Sequence, residues 1–155
     1  MNILVLGATS AIGSDLAYEF AFGNRVTLIA RDVYRLREVA QGCRERGAVM
    51  TDEVVFDLAS GAAQLRQVIG TQPIDLLINA AAATSRLRDR DIALSQLCEY
   101  VAVDLTVPIE LIRQLASDPG ARCPRVIFVS SILAAIRSPR RKICGGSTWW
   151  TFLTI

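Results

Sequence analysis

The chain of 155 residues has no histidine and a single lysine, Lys142. Without histidine there is no Cys/His zinc site and no histidine-based catalytic triad, and nothing suggests a metal site. Its four cysteines, Cys43, Cys98, Cys123 and Cys144, are far apart and form no CxxC pair. They read as reduced thiols of a cytoplasmic protein. No apolar run is long enough to span a bilayer. The N-terminus lacks the basic stretch and apolar core of a secretory signal. A net charge of +2 gives no reason to expect nucleic acid or an acidic partner. What the chain does have is apolar residue: 52% of the total, enough at this length for one domain with a real core.

That apolar content comes in an alternating pattern. Short runs suited to buried strands occur at 2–7 (NILVLG), 25–30, within 48–58, at 74–82 and at 124–131. Between them lie segments with helical spacing at 11–23, 33–47, 61–70 and 91–116. Strand and helix alternating through short connections means βαβ units and a parallel sheet with helices on both faces. The expected fold is therefore α/β, a Rossmann-like doubly wound parallel sheet in three αβα layers.

The first strand-to-helix turn reads LGATSAIG. Gly7 and Gly13 are spaced as in GxxxGxG, with Ala11 at the middle position. Glycine allows a sharp turn and close approach of backbone N–H groups to a pyrophosphate at the positive end of a helix. Thr9 and Ser10 offer hydroxyls to phosphate, and Ile12 lies in the same turn. The alternative is an ordinary tight βα turn; its place after a first strand and before a helix favours a dinucleotide loop. At the end of the second strand, where such folds meet the adenosine ribose, an acid would favour NAD. This chain presents Arg31, whose fork suits a 2′-phosphate, followed at once by Asp32. The pair favours NADP over NAD, against the alternative that Arg31 is a solvated charge.

GATSAIG, ARDVYRL, VVFDL, LLINAAA and IFVSSILA occur in the order and spacing of the short-chain dehydrogenases/reductases, and the chain resembles that family over residues 1 to 148. The resemblance implies hydride transfer between a nicotinamide dinucleotide and a small carbonyl/alcohol substrate. It assigns Asp57, followed by Leu58, to the adenine. Asn79, Ala80, Ala81 and Ala82 stand where the family has Asn-Asn-Ala-Gly beside the ribose. Of the catalytic Asn, Ser, Tyr and Lys, the serine maps to Ser131 and the asparagine position holds Asp104. In that family the asparagine's carbonyl is exposed by a kink. Pro108, four residues after Asp104, has no N–H to give the carbonyl of residue 104, so the kink is expected to survive. Thirteen positions beyond Ser131 stands Cys144 where the tyrosine falls, and four further on Thr148 replaces the lysine. Lys142 precedes the motif, and Tyr18, Tyr34 and Tyr100 are far upstream.

The last residues, WWTFLTI, show no amphipathic face, cap or turn. The expectation is an incomplete NAD(P)-binding domain at 1–148 and an atypical tail at 149–155, as if a frameshift or truncation fell inside the catalytic helix. Such a chain would lack the acid/base pair and be inactive, either as a silent nucleotide-binding module or as a relic. Its fifth strand would be an exposed edge, and a homo-oligomer would be expected for the full-length form.

Overall fold

The computed structural model describes residues 1–82, 93–117, 124–130 and 150–154. Six strands form one sheet in the order β3-β2-β1-β4-β5-β6: β1 (Asn2–Leu6), β2 (Arg25–Ala30), β3 (Met50–Val55), β4 (Leu76–Asn79), β5 (Arg125–Ser130) and β6 (Trp150–Thr154). Every neighbouring pair is parallel. The helices between them are α1 (Ala11–Glu19), α2 (Val33–Glu45), α3 (Ala62–Ile69), α4 (Leu94–Val101) and α5 (Val107–Ser117). The doubly wound fold expected from the alternation is what the chain adopts.

The period of two along a strand explains why β1 reads as an unbroken apolar run. Ile3 and Val5 face one side, where Ala17 of α1 and Leu36, Val39, Ala40 and Cys43 of α2 cover them. Leu4 and Leu6 face the other, under Leu65 of α3 and Val107, Leu111 and Leu115 of α5. A strand covered on both faces needs no polar side. α1 and α2 meet closely because Gly42 leaves room for the Tyr18 ring; a Cβ there would fall 2.6 Å from Tyr18 Cε1. Burial pushes the Cys43 thiol up from its ordinary pKa, with Arg46 and Arg44 opposing, so it acts as a small core residue. The outer strand β3 carries charge instead: Arg25 pairs with Asp52 at 2.8 Å and Arg44 with Glu53 at 3.3 Å.

Two segments bear on the expectations: the helix is disturbed where Pro108 predicted it, and the C-terminal residues depart from their reading. The helix read as continuous from 91 to 116 is helical from Leu94 to Ser117 but changes to a π-turn at Ala102–Thr106. There the Val107 N–H reaches back five residues to the Ala102 carbonyl. The cause is Pro108, which offers no N–H and whose ring crowds the carbonyl four residues earlier, that of Asp104. Second, β5 is not an edge. Residues expected to form a featureless tail include β6, which pairs with β5 in the register Val126↔Trp150 to Ser130↔Thr154. Apolar and threonine residues suit a strand, and no amphipathic signal is needed for one.

Candidate functional site

The strand order reverses between β1 and β4, and the loops leaving these strands meet at their carboxyl ends. Gly7 turns the chain out of β1 with φ +74°, in the left-handed region that favours glycine. Its Cα faces the main chain that follows β4: a Cβ would lie 2.6 Å from Ala81 N and Cα and 2.7 Å from the Ala80 carbonyl carbon. Gly13, in the first turn of α1, has no room for a Cβ either, which would collide with the Gly7 carbonyl oxygen. The two glycines thus press the loop onto the strand ends and the start of α1 onto the loop.

Ser10 fastens this crook. Its Oγ accepts from the Gly13 N–H at 3.0 Å, capping α1, and its hydroxyl points to the carbonyls of Gly7 at 2.8 Å and Ala80 at 3.1 Å. Expected as a phosphate donor, Ser10 has its proton directed at carbonyls in this structure. With Gly13 N–H engaged, the amides of Ala11 and Ile12 are the first-turn groups without an intrahelical acceptor. Ala8 is held below by its N–H to the Ile29 carbonyl, 3.1 Å. Thr9 is half-buried at the rim.

The β2–α2 turn forms one wall. Arg31 is exposed. Asp32 caps α2, its Oδ1 accepting from the N–H groups of Tyr34 and Arg35 at 3.0 and 3.1 Å. Arg35, overlooked in the sequence, reaches across and donates from Nη2 to the Thr9 carbonyl at 2.7 Å. Its position in the first turn after a cap was the one available signal. The β3 exit forms the next wall. Asp57 caps a short 3-10 turn through Oδ1 to the Ala59 N–H, 3.1 Å, while the Leu58 side chain is buried under α3. Only the main chain of Leu58 is therefore open to a ligand.

At the base, Asn79 is 2% exposed, and its Oδ1 has no hydrogen-bond partner. Buried side-chain oxygens are seldom left so. Asp104 lies in the π-turn, half-buried. Ser131, Lys142, Cys144 and Thr148 lie outside the described residues. Chemically, the assembled part is an anion-accepting crook: loop amides, the positive end of a helix and two guanidinium-bearing residues on one rim.

The family profile of short chain dehydrogenases matches residues 1–147, and the chain belongs to that family. It is similar to the human dehydrogenase/reductase SDR family member 7, with 26% identity across 90% of this chain and 44% of that protein. A shorter match, 60 residues at 42% identity, is to the hydroxysteroid 11-beta-dehydrogenase 1-like protein of Xenopus tropicalis, covering 38% of this chain and 21% of the relative. The chain thus spans less than half of these curated relatives. Among solved structures, L-sorbose reductase from Gluconobacter frateurii, complexed with NADPH and L-sorbose, superposes with a TM-score of 0.73 at 28% identity, over 87% of this chain and 54% of that one. Among the described residues, no helix is long and apolar enough to cross a membrane.

Proposed function

We propose that this chain is the dinucleotide-binding part of an NADP(H)-dependent oxidoreductase of the short-chain type, and that it binds cofactor without completing the carbonyl/alcohol reaction. The observation that carries the reading is the crook in which Gly7 lies against Ala80 and Ala81 with no room for a Cβ. The residues fit the cofactor. The amides of Ala11 and Ile12 at the start of α1 would hold the pyrophosphate, with the Thr9 hydroxyl beside them. The unpaired Asn79 oxygen suits a ribose hydroxyl, with Ala80 and Ala81 allowing close approach. Asp57 and the Leu58 main chain would take the adenine.

Preference for NADP rests on Arg31. Asp32 Oδ1, one of the two oxygens that could accept from a 2′-OH, is engaged by the cap of α2. Similarity to an NADPH-complexed sorbose reductase supports the same reading. Calorimetry tests it: NADP(H) binds more tightly than NAD(H), and Arg31→Ala removes most of the difference. A charge-assisted contact of this kind contributes about 1.5–3 kcal/mol. Equal affinities before and after the substitution would refute the preference.

Bound nicotinamide supplies or accepts the hydride in this class. For the accompanying proton the family positions a tyrosine and a lysine, where this chain has Cys144 and Thr148. Ser131 alone would contact substrate oxygen, with Asp104 at the kink. Loss of a positioned proton donor costs about 10²–10⁴-fold. Reduction of a ketone and aldehyde panel is therefore expected at background. NADPH oxidation that vanishes in Cys144→Ser would overturn inactivity and make the thiol the acid. We place the protein in the cytoplasm. The exposed apolar positions Leu94, Leu97 and Val101 of α4, Leu105 of the π-turn and Ile109 of α5 support pairing with a second copy.

A further inference from the structure

A dinucleotide lying across this crevice needs two segments at a fixed spacing: the loop that leaves β1 and starts α1, and the main chain that leaves β4. The backbone ladder between them ends where the Ala80 N–H meets the Leu6 carbonyl, at 2.9 Å. Beyond that point Gly7 packs against Ala80 and Ala81 with no room for a Cβ. Such packing is a stop more than a tie. Repulsion sets the closest approach, while dispersion between a few atoms resists parting only weakly.

The tie is Ser10. Among the described residues its hydroxyl makes the one side-chain hydrogen bond that joins the glycine loop to Ala80 and Ala81, reaching the Ala80 carbonyl at 3.1 Å. The same Oγ stands 2.8 Å from the Gly7 carbonyl and accepts from the Gly13 N–H at 3.0 Å. The Gly7 carbonyl is already served by the Ser10 N–H, also at 3.0 Å. A hydroxyl has one proton to give and two acceptor sites. This one stands where the turn out of β1, the first turn of α1 and the exit of β4 meet.

Resting on the dinucleotide reading above, we propose that Ser10 is a positioning residue for the half of the ligand beyond the pyrophosphate. By tying the exit of β4 to the capped start of α1, it fixes where the nicotinamide riboside lies relative to the phosphates. The residues read as adenosine contacts, Arg31 after β2 and Asp57 and Leu58 after β3, stand on the other side of β1, and their support does not pass through Ala80. Loosening Ala80 therefore shifts the wall of the second half and leaves the adenosine wall in place. A cap alone would act differently. It holds the α1 amides that receive the pyrophosphate, which a dinucleotide and an adenosine diphosphate share.

Calorimetry on the full chain tests this with two probes, NADH and adenosine 5′-diphosphate. Both carry adenosine and two phosphates, but only NADH carries a nicotinamide riboside. Ser10→Gly removes the hydroxyl at a cap position that glycine fills at small cost. NADH is expected to weaken by about fivefold, the size of one neutral hydrogen bond, and adenosine 5′-diphosphate by less than about twofold. Ser10→Thr keeps a hydroxyl and is expected to hold the wild-type ratio of the two affinities. Circular dichroism checks that each variant is folded, and Ser10→Ala serves if Gly is not. An unchanged ratio in Ser10→Gly would overturn the assignment, whether both affinities fall together, as loss of a cap would make them, or neither moves. A Thr variant with the ratio of the Gly variant would overturn it too. Wild-type chain that binds neither probe would overturn the dinucleotide reading and this assignment with it. Wild-type chain that binds both, with the ratio surviving Ser10→Gly, overturns only the role of Ser10.

Discussion

The two helical faces of the sheet are finished differently. On the α1–α2 face every apolar position of the helix stripe, Leu36, Val39, Ala40 and Cys43, is buried against the sheet. On the other face α5 buries Leu111 and Leu115, yet the same helical run leaves Leu94 75%, Leu97 43%, Val101 48% and Leu105 52% exposed. One face is complete within a single chain. The other carries an apolar stripe of a kind that soluble surfaces seldom leave uncovered. The glycine loop belongs to the complete face, resting on β1 and α1, whereas the π-turn lies in the incomplete one. The loop proposed to hold an anion is thus assembled apart from the surface proposed to meet a second copy.

Substitutions that crowd or empty the tight face should be the most damaging. Gly7→Val places a β-branched residue at φ +74° and drives its Cβ into the Ala80–Ala81 main chain, which cannot yield as a side chain can. A loss of about 4 kcal/mol or more is expected, read by urea unfolding. A variant within about 0.5 kcal/mol of the parent would mean that the loop does not press on β4. The next contrast uses one chemistry on both faces. Leu36→Ala should cost about 2–5 kcal/mol because it opens a cavity, whereas Leu97→Ala should cost less than about 1 kcal/mol, since much of the side chain is already in water. Equal losses would erase the distinction between the faces.

Pairing through the second stripe is sharpened by Leu97→Glu together with Leu105→Glu. Sedimentation should show association in the parent and a shift toward monomer in the variant, with the secondary structure unchanged. A parent that is monodisperse as a monomer at high concentration would remove the proposed pairing. The smallest effect belongs to the exposed rim of α5. The hydrogen bond from Arg113 to Glu110, with a lesser one from Gln114, holds that carboxyl at about 2, below its ordinary 4.5. Its folded-state value is depressed, so its contribution to stability is present above about pH 4.5 and is lost as the pH falls toward about 2. Arg113→Ala should raise the Glu110 titration toward 4.5, followed by NMR. A midpoint that stays near 2 would show that the pair does not form in solution.

The sequence by itself showed the alternation of strand and helix, because a short run such as Ile3, Leu4, Val5 and Leu6, ended by Gly7, suits a strand covered on both sides. It also marked a glycine turn at residues 7 and 13, and through Pro108 the place where the helix would be disturbed; that neither glycine has room for a side chain was decided by the fold. What the tertiary structure decided depends on partners distant in the chain. Ser10 looked like a phosphate ligand until Ala80, seventy residues away, drew its hydroxyl toward the strand ends. Arg35 looked like one of many surface cations until the packing of α2 set it 2.7 Å from the Thr9 carbonyl. The segment from Trp150 to Thr154 had no periodicity to read, for a strand's identity there came from the open hydrogen-bonding groups of β5 beside it. Local sequence specifies backbone preference and face. Which donor meets which acceptor is settled only when the sheet brings residues far apart in the chain within a few ångströms of each other.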